Sequence, residues 1–426
     1  MARQMKDSGI EWIGEIPKTW ITDRLQWHLE EVNVSNSPVQ SENILSLTIE
    51  AGVIPYEEKG NQGNKSKENY EEYKLAYPDT LVVNSMNIII GAVGISKYFG
   101  CVSPVYYVFK AATGTDLRYI YYLFTNVGFQ KEMRKHAKGI LEIRLRISSG
   151  DIQKLSVPNP EYEEQRRIAD FLDRSCTEID AVMERTKATI EEYKKLKQAV
   201  ITEAVTKGVR GPRKMKDSGI EWIGEIPEEW EVSRVKYVSD FEPSSRRDDL
   251  SDESIITYTP MDCIKNGWFI NNTAPLGSVS SSLTAYQEGD IVLAKVTPCF
   301  ENGNIAIMKG LASGFGLGSS ELFVIRAESI DTKYMFYWLR NEGFMQRACA
   351  TMTGTGGLKR VSPAFVKDCF IHMPPATEQD EIAAYLDEKC AALDTLIAKK
   401  TDLLTELETY KKSLIYEYVT GKKEVQ

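Results

Sequence analysis

The chain has 426 residues, enough for two or three ordinary domains that each bury a core. It is 42% apolar and 27% charged, the composition of a soluble globular protein, and it has no apolar run of about 18 residues that could span a membrane as a helix. The net charge of -9 argues on its face against a nucleic-acid partner.

The opening MARQMKDSGI has no apolar stretch of the kind a secretory signal needs. Seven cysteines (Cys101, Cys176, Cys263, Cys299, Cys349, Cys369, Cys390) form an odd set with no C-x-x-C pair. That argues against a disulfide framework and against a zinc knuckle, and makes the cytoplasm the expected compartment.

MKDSGIEWIGEIP, Met5 to Pro17, returns letter for letter as Met215 to Pro227, and the closing Trp20 and Trp230 keep the offset of 210. A second repeat, Glu164 to Thr206 against Glu378 to Thr420, aligns without a gap at an offset of 214, with Glu164/Glu378, Gln165/Gln379, Asp173/Asp387, Asp180/Asp394 and Lys197/Lys411 identical. The chain therefore divides into a frame motif (1–20), an interior (21–160), a long helix (161–208), a linker with the second motif (209–230), a second interior (231–375) and a second long helix (376–421).

In the first interior, TLVVNSMNIIIGAVGIS is apolar, β-branched and broken by Gly and Asn, which predicts strands and turns; DIVLAKVTPCFENGNIAIM does the same in the second. Downstream, Asp116 to Gln130 and Asp331 to Gln346 read as matching aromatic helices, each capped by its Asp. Each interior is then a mixed α/β domain, and the chain as a whole is α+β. In the long stretches Ile168, Leu172, Ile179, Met183, Ile190, Tyr193, Val200 and Ala204 recur at steps near three and four, matched by Ile382, Leu386, Leu393, Ile397, Leu404, Leu407, Leu414 and Tyr418. Neither stretch contains Gly or Pro, and a rod of that length, ~65 Å at 1.5 Å per residue, needs a partner for its narrow apolar stripe. The other copy is the nearest candidate.

Divided by region, Lys plus Arg against Asp plus Glu is 15 to 15 over residues 23–154 and 14 to 16 over 231–368, but 9 to 11 and 5 to 10 over the helices 161–208 and 376–421. Much of the excess acid thus lies on the helices, so cations in the interiors can still focus on phosphate. Lys131, Arg134, Lys135, Lys138, Arg144 and Arg146 cluster against only Glu132 and Glu142; at the corresponding place in the second half stand Arg347, a Gly-rich run, Lys359 and Arg360. A loop with Gly for close approach and Arg or Lys at its exit suits a major groove. These nine residues are the candidate DNA contacts, with Asn61 to Lys67, Asn302 and Asn304 as alternatives. No phosphate loop, H-E-x-x-H pair, nuclease carboxylate cluster or amino-methyltransferase motif is present, so no catalytic, metal or cofactor residues are assigned.

The GIEWIGEIP openings at Gly9 and Gly219, the helix starts EQRRIADFLD and EQDEIAAYLD, and the helix ends EAVT and EYVTGK resemble the specificity subunit of bacterial and archaeal Type I restriction-modification systems. The resemblance covers essentially the whole chain. It implies two pseudo-symmetric target recognition domains, each reading one half of a split sequence in double-stranded DNA. It also implies that the two long helices pair antiparallel as a coiled coil, set the spacing, and bind two modification (methyltransferase) subunits. Those subunits would carry S-adenosylmethionine, and restriction (translocase/nuclease) subunits would complete the complex; this chain would hold no cofactor, and no membrane is involved. The linker after Thr206 departs from the second copy, since EAVTKGVRG stands where the second half has EYVTGK. A coiled-coil scaffold with two protein-binding domains is the rival reading.

Overall fold

A computed structural model describes residues 3–59, 69–138, 145–245, 249–280 and 282–425. The chain folds into two compact units that cut across the sequential blocks. Unit 1 is residues 1–187 with 402–426, and unit 2 is residues 188–401.

In unit 1 the first repeat is a hairpin, Met5–Ile10 against Gly14–Pro17. The strand after it, Ile21–Arg24, pairs antiparallel with Ser156–Asn159, so the two ends of the interior are joined side by side. Between them lies an antiparallel sheet in the order Leu29–Glu31, Tyr106–Ala111, Leu81–Asn84, Val93–Ile95. Leu81–Asn84 is buried throughout, as expected of an apolar run inside a sheet covered on both faces. Helices α1 (Leu117–Thr125), α2 (Val127–His136) and α3 (Ser149–Gln153) follow, then α4 (Tyr162–Lys207), which starts in unit 1 and ends in unit 2.

Unit 2 repeats the plan. A hairpin joins Met215–Asp217 to Glu225–Pro227, Glu231–Arg234 pairs with Phe370–Met373, and a sheet runs Ser239–Phe241, Leu322–Ala327, Ile291–Ala294, Ile305–Ile307. Its helices are α5 (Val235–Val238), α6 (Thr332–Trp338), α7 (Glu342–Ala350), α8 (Pro363–Asp368) and α9 (Ala376–Val419), the last ending in unit 1. The interiors diverge in what is added. Unit 2 has a second sheet, Asn272–Pro275, Ile255–Thr259, Phe315–Gly318, Thr284–Gln287, with a parallel pair at its centre. The corresponding part of unit 1 is two short strand pairs, Leu45–Thr48 with Gly52–Pro55 and Lys74–Ala76 with Gly100–Val102.

Each aromatic helix expected as one piece is two. Asp116 and Asp331 cap the starts as expected, but Asn126 accepts from Gly128 N and Phe129 N and opens a new helix, and Asn341 does the same through Phe344 N. A short polar side chain that satisfies the free amides of a following turn competes with helix continuation. The break lets Gly128 and Gly343 back onto Trp12 and Trp222 of the hairpins, where a Cβ would lie 2.5 and 2.7 Å from the indole.

Within each unit, halves of α4 and α9 lie antiparallel. In unit 1 Asp180 bonds Lys411 at 2.6 Å and the Phe171 and Tyr418 rings are 4.3 Å apart. In unit 2 Lys197 bonds Asp394 at 2.6 Å and Arg210 bonds Glu381 at 2.7 Å. Ile168, Leu172 and Ile179 are buried in unit 1, and Ile382, Leu386 and Leu393 in unit 2, at the stripe positions the repeat predicts; Cys176 and Cys390 add one seat each. Each such aliphatic side chain contributes roughly 1.5–3 kcal/mol on burial.

Candidate nucleic-acid interface

The loops that carry the candidate cations hang from helices pinned to the frame by one set of bonds in both units. Gln165 and Gln379 accept from the backbone N–H of Asp116 and Asp331 at 3.0 and 2.7 Å. The Tyr122 hydroxyl donates to Asp173 at 2.7 Å and that of Tyr337 to Asp387 at 2.8 Å, while Arg118 and Lys333 bond the same two carboxylates. Burial, reinforced by the Asp acceptor, raises both tyrosine pKa values, so these hydroxyls stay protonated donors. Deeper in, the Tyr119 hydroxyl lies 3.0 Å from the carbonyl oxygens of Pro158 and Val419, and the Tyr334 hydroxyl 3.2 and 3.3 Å from those of His372 and Val205.

From α2 the chain leaves through a loop closed by a backbone pair, Lys138 N to Arg146 O at 2.7 Å and Arg146 N to Lys138 O at 2.9 Å. From α7 it leaves through a loop closed in the same way, Thr353 N to Arg360 O at 3.1 Å and Arg360 N to Thr353 O at 2.8 Å. The second loop is shaped by glycine. Gly354 has φ +149°, and a Cβ there would meet the Leu358 carbonyl oxygen at 2.2 Å. Thr297 ties the loop from beneath, accepting from Lys359 N at 2.9 Å and donating to Gly357 O at 2.8 Å.

Lys131, Arg134 and Lys135 stand exposed on α2, and Lys138 and Arg146 at the base of its loop. Lys135 is held by Glu11 at 2.7 Å and Glu132 at 2.8 Å, which raises its pKa and directs it back to the hairpin. Arg146 reaches Met86 Sδ at 3.6 Å. Arg144 and the alternative segment Asn61 to Lys67 lie outside the described residues. In unit 2, Arg347 covers the Trp222 ring at 5.1 Å, and Arg360 makes a two-pronged bond to Glu321 at 2.7 and 2.8 Å. Two of the guanidinium's donors are engaged there, which suits Arg360 to anchoring the loop more than to gripping a base. Lys359 is exposed beside Leu358, whose half-exposed apolar side chain on a closed loop was not singled out from the sequence. Asn302 and Asn304 sit on the turn before Ile305–Ile307, and Asn302 offers its carbonyl to Asn266.

A cleft of about 330 Å³ in unit 2 is lined by Lys195, Gln198, Asn266, Asn302 and Arg340. Arg340 is buried there over the Phe336 ring, bonded to Asn266 Oδ1 at 2.6 Å. Among the described residues there is no group of three or more His, Cys, Asp or Glu side chains placed to hold a metal, and no helix long and apolar enough to cross a membrane.

Residues 31–192 and 227–408 each match the family model described as Type I restriction modification DNA specificity domain. Among curated proteins, the chain is similar to the specificity subunit of the EcoEI type I restriction enzyme of Escherichia coli, 32% identical over 191 residues, 44% of this chain and 31% of that protein. The EcoAI specificity subunit of the same organism is 31% identical over 191 residues, 44% of this chain and 32% of its own length. The chain thus spans about a third of the length of these two relatives. The MjaVIII specificity subunit of Methanocaldococcus jannaschii is 28% identical over 72% of this chain and 70% of its own. Two solved structures share the fold. One, from work on complex assembly and conformational transition of the type I restriction-modification system, has TM-score 0.70, 14% identity, and coverage of 96% of this chain and 99% of that one. The other, the HsdS subunit of Thermoanaerobacter tengcongensis, has TM-score 0.50, 14% identity, and coverage of 96% and 98%.

Proposed function

This chain belongs to the Type I restriction-modification DNA specificity family, and from that premise we propose that it is the sequence-reading subunit of such a complex. In this reading unit 1 reads one half of a split duplex target and unit 2 the other. One observation carries the proposal: the frame contacts recur residue for residue in both units while the interiors, with one extra sheet in unit 2, do not. A protein that reads two different words in equivalent poses needs that division.

The contacts to DNA divide by chemistry. Lys131, Arg134, Lys138 and Arg146 in unit 1, and Arg347 and Lys359 in unit 2, supply phosphate-seeking charge near the closed loops. Lys359 with Leu358 offers a donor beside an apolar group, the pairing that distinguishes a guanine or thymine edge in the major groove. The chain itself carries out no bond chemistry; methyl transfer from S-adenosylmethionine belongs to two methyltransferase subunits, and cleavage to restriction subunits. The paired helices bind the methyltransferase subunits and set the spacing of the half-sites. Mapping of methylated adenines genome-wide, with and without this gene, tests the reading. A bipartite motif that vanishes with the gene is expected, and an unchanged methylation pattern, or stoichiometric S-adenosylmethionine binding by the isolated chain in calorimetry, would overturn it.

A further inference from the structure

Arg340 stands in the break between α6 and α7 and is only 8% exposed. Its guanidinium lies over the Phe336 ring at 4.8 Å and the Tyr337 ring at 5.7 Å, and donates through Nη2 to Asn266 Oδ1 at 2.6 Å. No carboxylate bonds it among the described residues. A guanidinium has five N–H donors, and a buried cation is ordinarily paired with an anion because desolvation penalises its charge. Here burial pushes the pKa down, and one neutral amide is the acceptor provided. The fold does not require a cation at this place. The offset that aligns Asp116 with Asp331 and Asn126 with Asn341 puts Thr125 opposite Arg340, and Thr125 bonds the Tyr122 carbonyl of its own helix. Arg340 is therefore an addition peculiar to unit 2, and it lacks a counter-ion.

Besides the cleft described above, Arg340 lines a second one of about 480 Å³ within unit 2. The groups packed on the guanidinium, Gly267, Phe336 and Tyr337, all line this second cleft, so the charged end faces it. Four cations border it, Lys197, Lys309, Lys333 and Arg340, against the carboxylates of Asp387 and Asp394. Both carboxylates are already matched, Asp387 by Lys333 and Asp394 by Lys197. Lys309, which is exposed and has no acidic partner among the described residues, is left over with Arg340. Two unmatched positive charges thus share one cleft of an acidic chain. The same cleft is bordered by Trp268, 58% exposed, whose indole has no ring or cation partner among the described residues. Its position is fixed by a tight turn in which Lys265 N donates to Trp268 O at 2.9 Å and Gly267 takes φ +100°. A Cβ on Gly267 would lie 3.5 Å from both terminal nitrogens of Arg340, so the turn sets the indole next to the guanidinium.

We propose that this cleft binds one free nucleoside monophosphate, with its base stacked on Trp268 and its phosphate held by Arg340 and Lys309. A phosphate monoester carries nearly two negative charges at neutral pH, which matches the two unmatched cations. The unused guanidinium donors suit phosphate oxygens, and an open indole accepts any base face. An inorganic anion would leave the indole uncovered, and an uncharged nucleoside would leave Arg340 without a counter-ion. Duplex DNA is a poor occupant. One wall of the cleft is α9, where residues 376–421 carry 5 Lys or Arg against 10 Asp or Glu, and no residue of the closed loop 353–360 lines it. With Thr125 in place of the arginine, unit 1 has no such site, so the chain takes one ligand.

The test is calorimetric titration of the full chain with AMP at low salt, with adenosine and inorganic phosphate titrated separately and tryptophan fluorescence followed in parallel. AMP is expected to bind once per chain and to quench fluorescence, and adenosine and phosphate are each expected to bind at least tenfold more weakly. Trp268→Ala and Lys309→Glu, both at exposed positions, are each expected to weaken AMP at least tenfold without lowering the melting temperature, and Trp268→Ala to remove the quench. Arg340→Gln is expected to abolish binding; if that variant fails to fold, the two exposed variants decide. Lys110→Ala in unit 1 is expected to bind AMP as wild type does. Absence of AMP binding, or AMP affinity unchanged in both exposed variants, would overturn the proposal. Phosphate binding as tightly as AMP would reduce the cleft to a simple anion site and overturn the assignment of a nucleotide. Duplex DNA that displaces AMP from the full chain would give the cleft to DNA and overturn it as well. Each of these outcomes leaves the sequence-reading role intact.

Discussion

Glu378 is fully buried, and its carboxylate holds the start of α9 against the second frame motif. Oε1 accepts from Arg213 Nη2 at 2.6 Å and Oε2 from the indole N–H of Trp230 at 3.0 Å, with Arg213 lying over the Trp230 ring at 5.3 Å. Glu378→Gln keeps the volume and an acceptor but removes the charge. A hydrogen bond between charged groups contributes about 1.5–3 kcal/mol and a neutral one about 0.5–1.5, so the change should cost about 1–2 kcal/mol. Glu378→Ala also leaves the buried indole N–H without an acceptor and Arg213 with Glu229 as its remaining ion-pair partner among the described residues. The cost should then reach about 3–5 kcal/mol, the range for breaking one side of a buried pair. The equivalent Glu164, bonded to Arg3 and Trp20, is 17% exposed, so water replaces part of what is lost and Glu164→Gln should cost less than Glu378→Gln. Urea unfolding followed by tryptophan fluorescence gives the magnitudes, and hydrogen exchange assigns each to a unit. Equal costs for the two Gln variants, or less than about 1 kcal/mol for Glu378→Ala, would refute the argument that burial sets the strength of this contact.

His372 is fully buried among tryptophan rings, with Nδ1 2.9 Å from the Val205 carbonyl oxygen and Nε2 without a partner among the described residues. Burial pushes its pKa down to about 4, so the neutral form is the folded one. Its contribution is fully present above about pH 6.5 and falls by up to about 3 kcal/mol as pH drops toward 4; His372→Phe should flatten that part of the stability–pH curve measured by thermal melts. Gly128→Ala and Gly343→Ala should each cost about 1–3 kcal/mol by overpacking, and Trp222→Leu should relieve the second, as a double-mutant cycle in urea would report. In the assembled complex, Lys138→Ala and Arg146→Ala should alter binding through one half-sequence only, and Leu358→Ala and Lys359→Ala through the other. A lost base contact costs about 1–3 kcal/mol at one position, whereas a lost phosphate contact weakens all sequences alike. Because Glu321 holds Arg360, Glu321→Gln should reproduce the effect of Arg360→Ala in the same binding assay.

The frame was legible because it is written twice. Repetition at fixed offsets marked Trp20, Glu164, Asp173 and Asp180 as a set before any contact was known, and the stripe of Ile168, Leu172 and Ile179 marked the buried face of α4. The bonds joining that set were not legible, since Trp20 to Glu164 spans 144 positions and nothing local distinguishes a buried glutamate from a solvated one. Helix breaks at Asn126 and Asn341 were missed because aromatic periodicity continues across them and the capping bond is a competing local effect. The added sheet of unit 2 has no counterpart to align against, and its strands are short and interrupted by Gly and Pro. Charge clustering found the neighbourhood of the closed loops. It could not separate Lys359, exposed on its loop, from Arg360, tied to a carboxylate 39 positions upstream.

The crossed ion pairs explain why so little of the frame needs to change when an interior does. Asp180 and Asp394 are equivalent, as are Lys197 and Lys411, yet each Asp bonds the Lys of the other copy. Antiparallel pairing of a repeated helix makes this automatic: whatever α4 offers to α9 in one unit, α9 offers to α4 in the other. One solved contact is therefore used twice, and the helix halves that close unit 1 are equivalent to those that close unit 2. Each interior meets this invariant support through a few recurring bonds, those of Asp116 and Asp331 to glutamine, Tyr122 and Tyr337 to aspartate, and Tyr119 and Tyr334 to helix-end carbonyls. Other contacts to the frame, such as Lys135 to Glu11 in unit 1 and Arg347 over Trp222 in unit 2, are particular to one unit. An interior that keeps the recurring bonds can exchange its loop residues, or add a sheet as unit 2 has, without disturbing the helix seam.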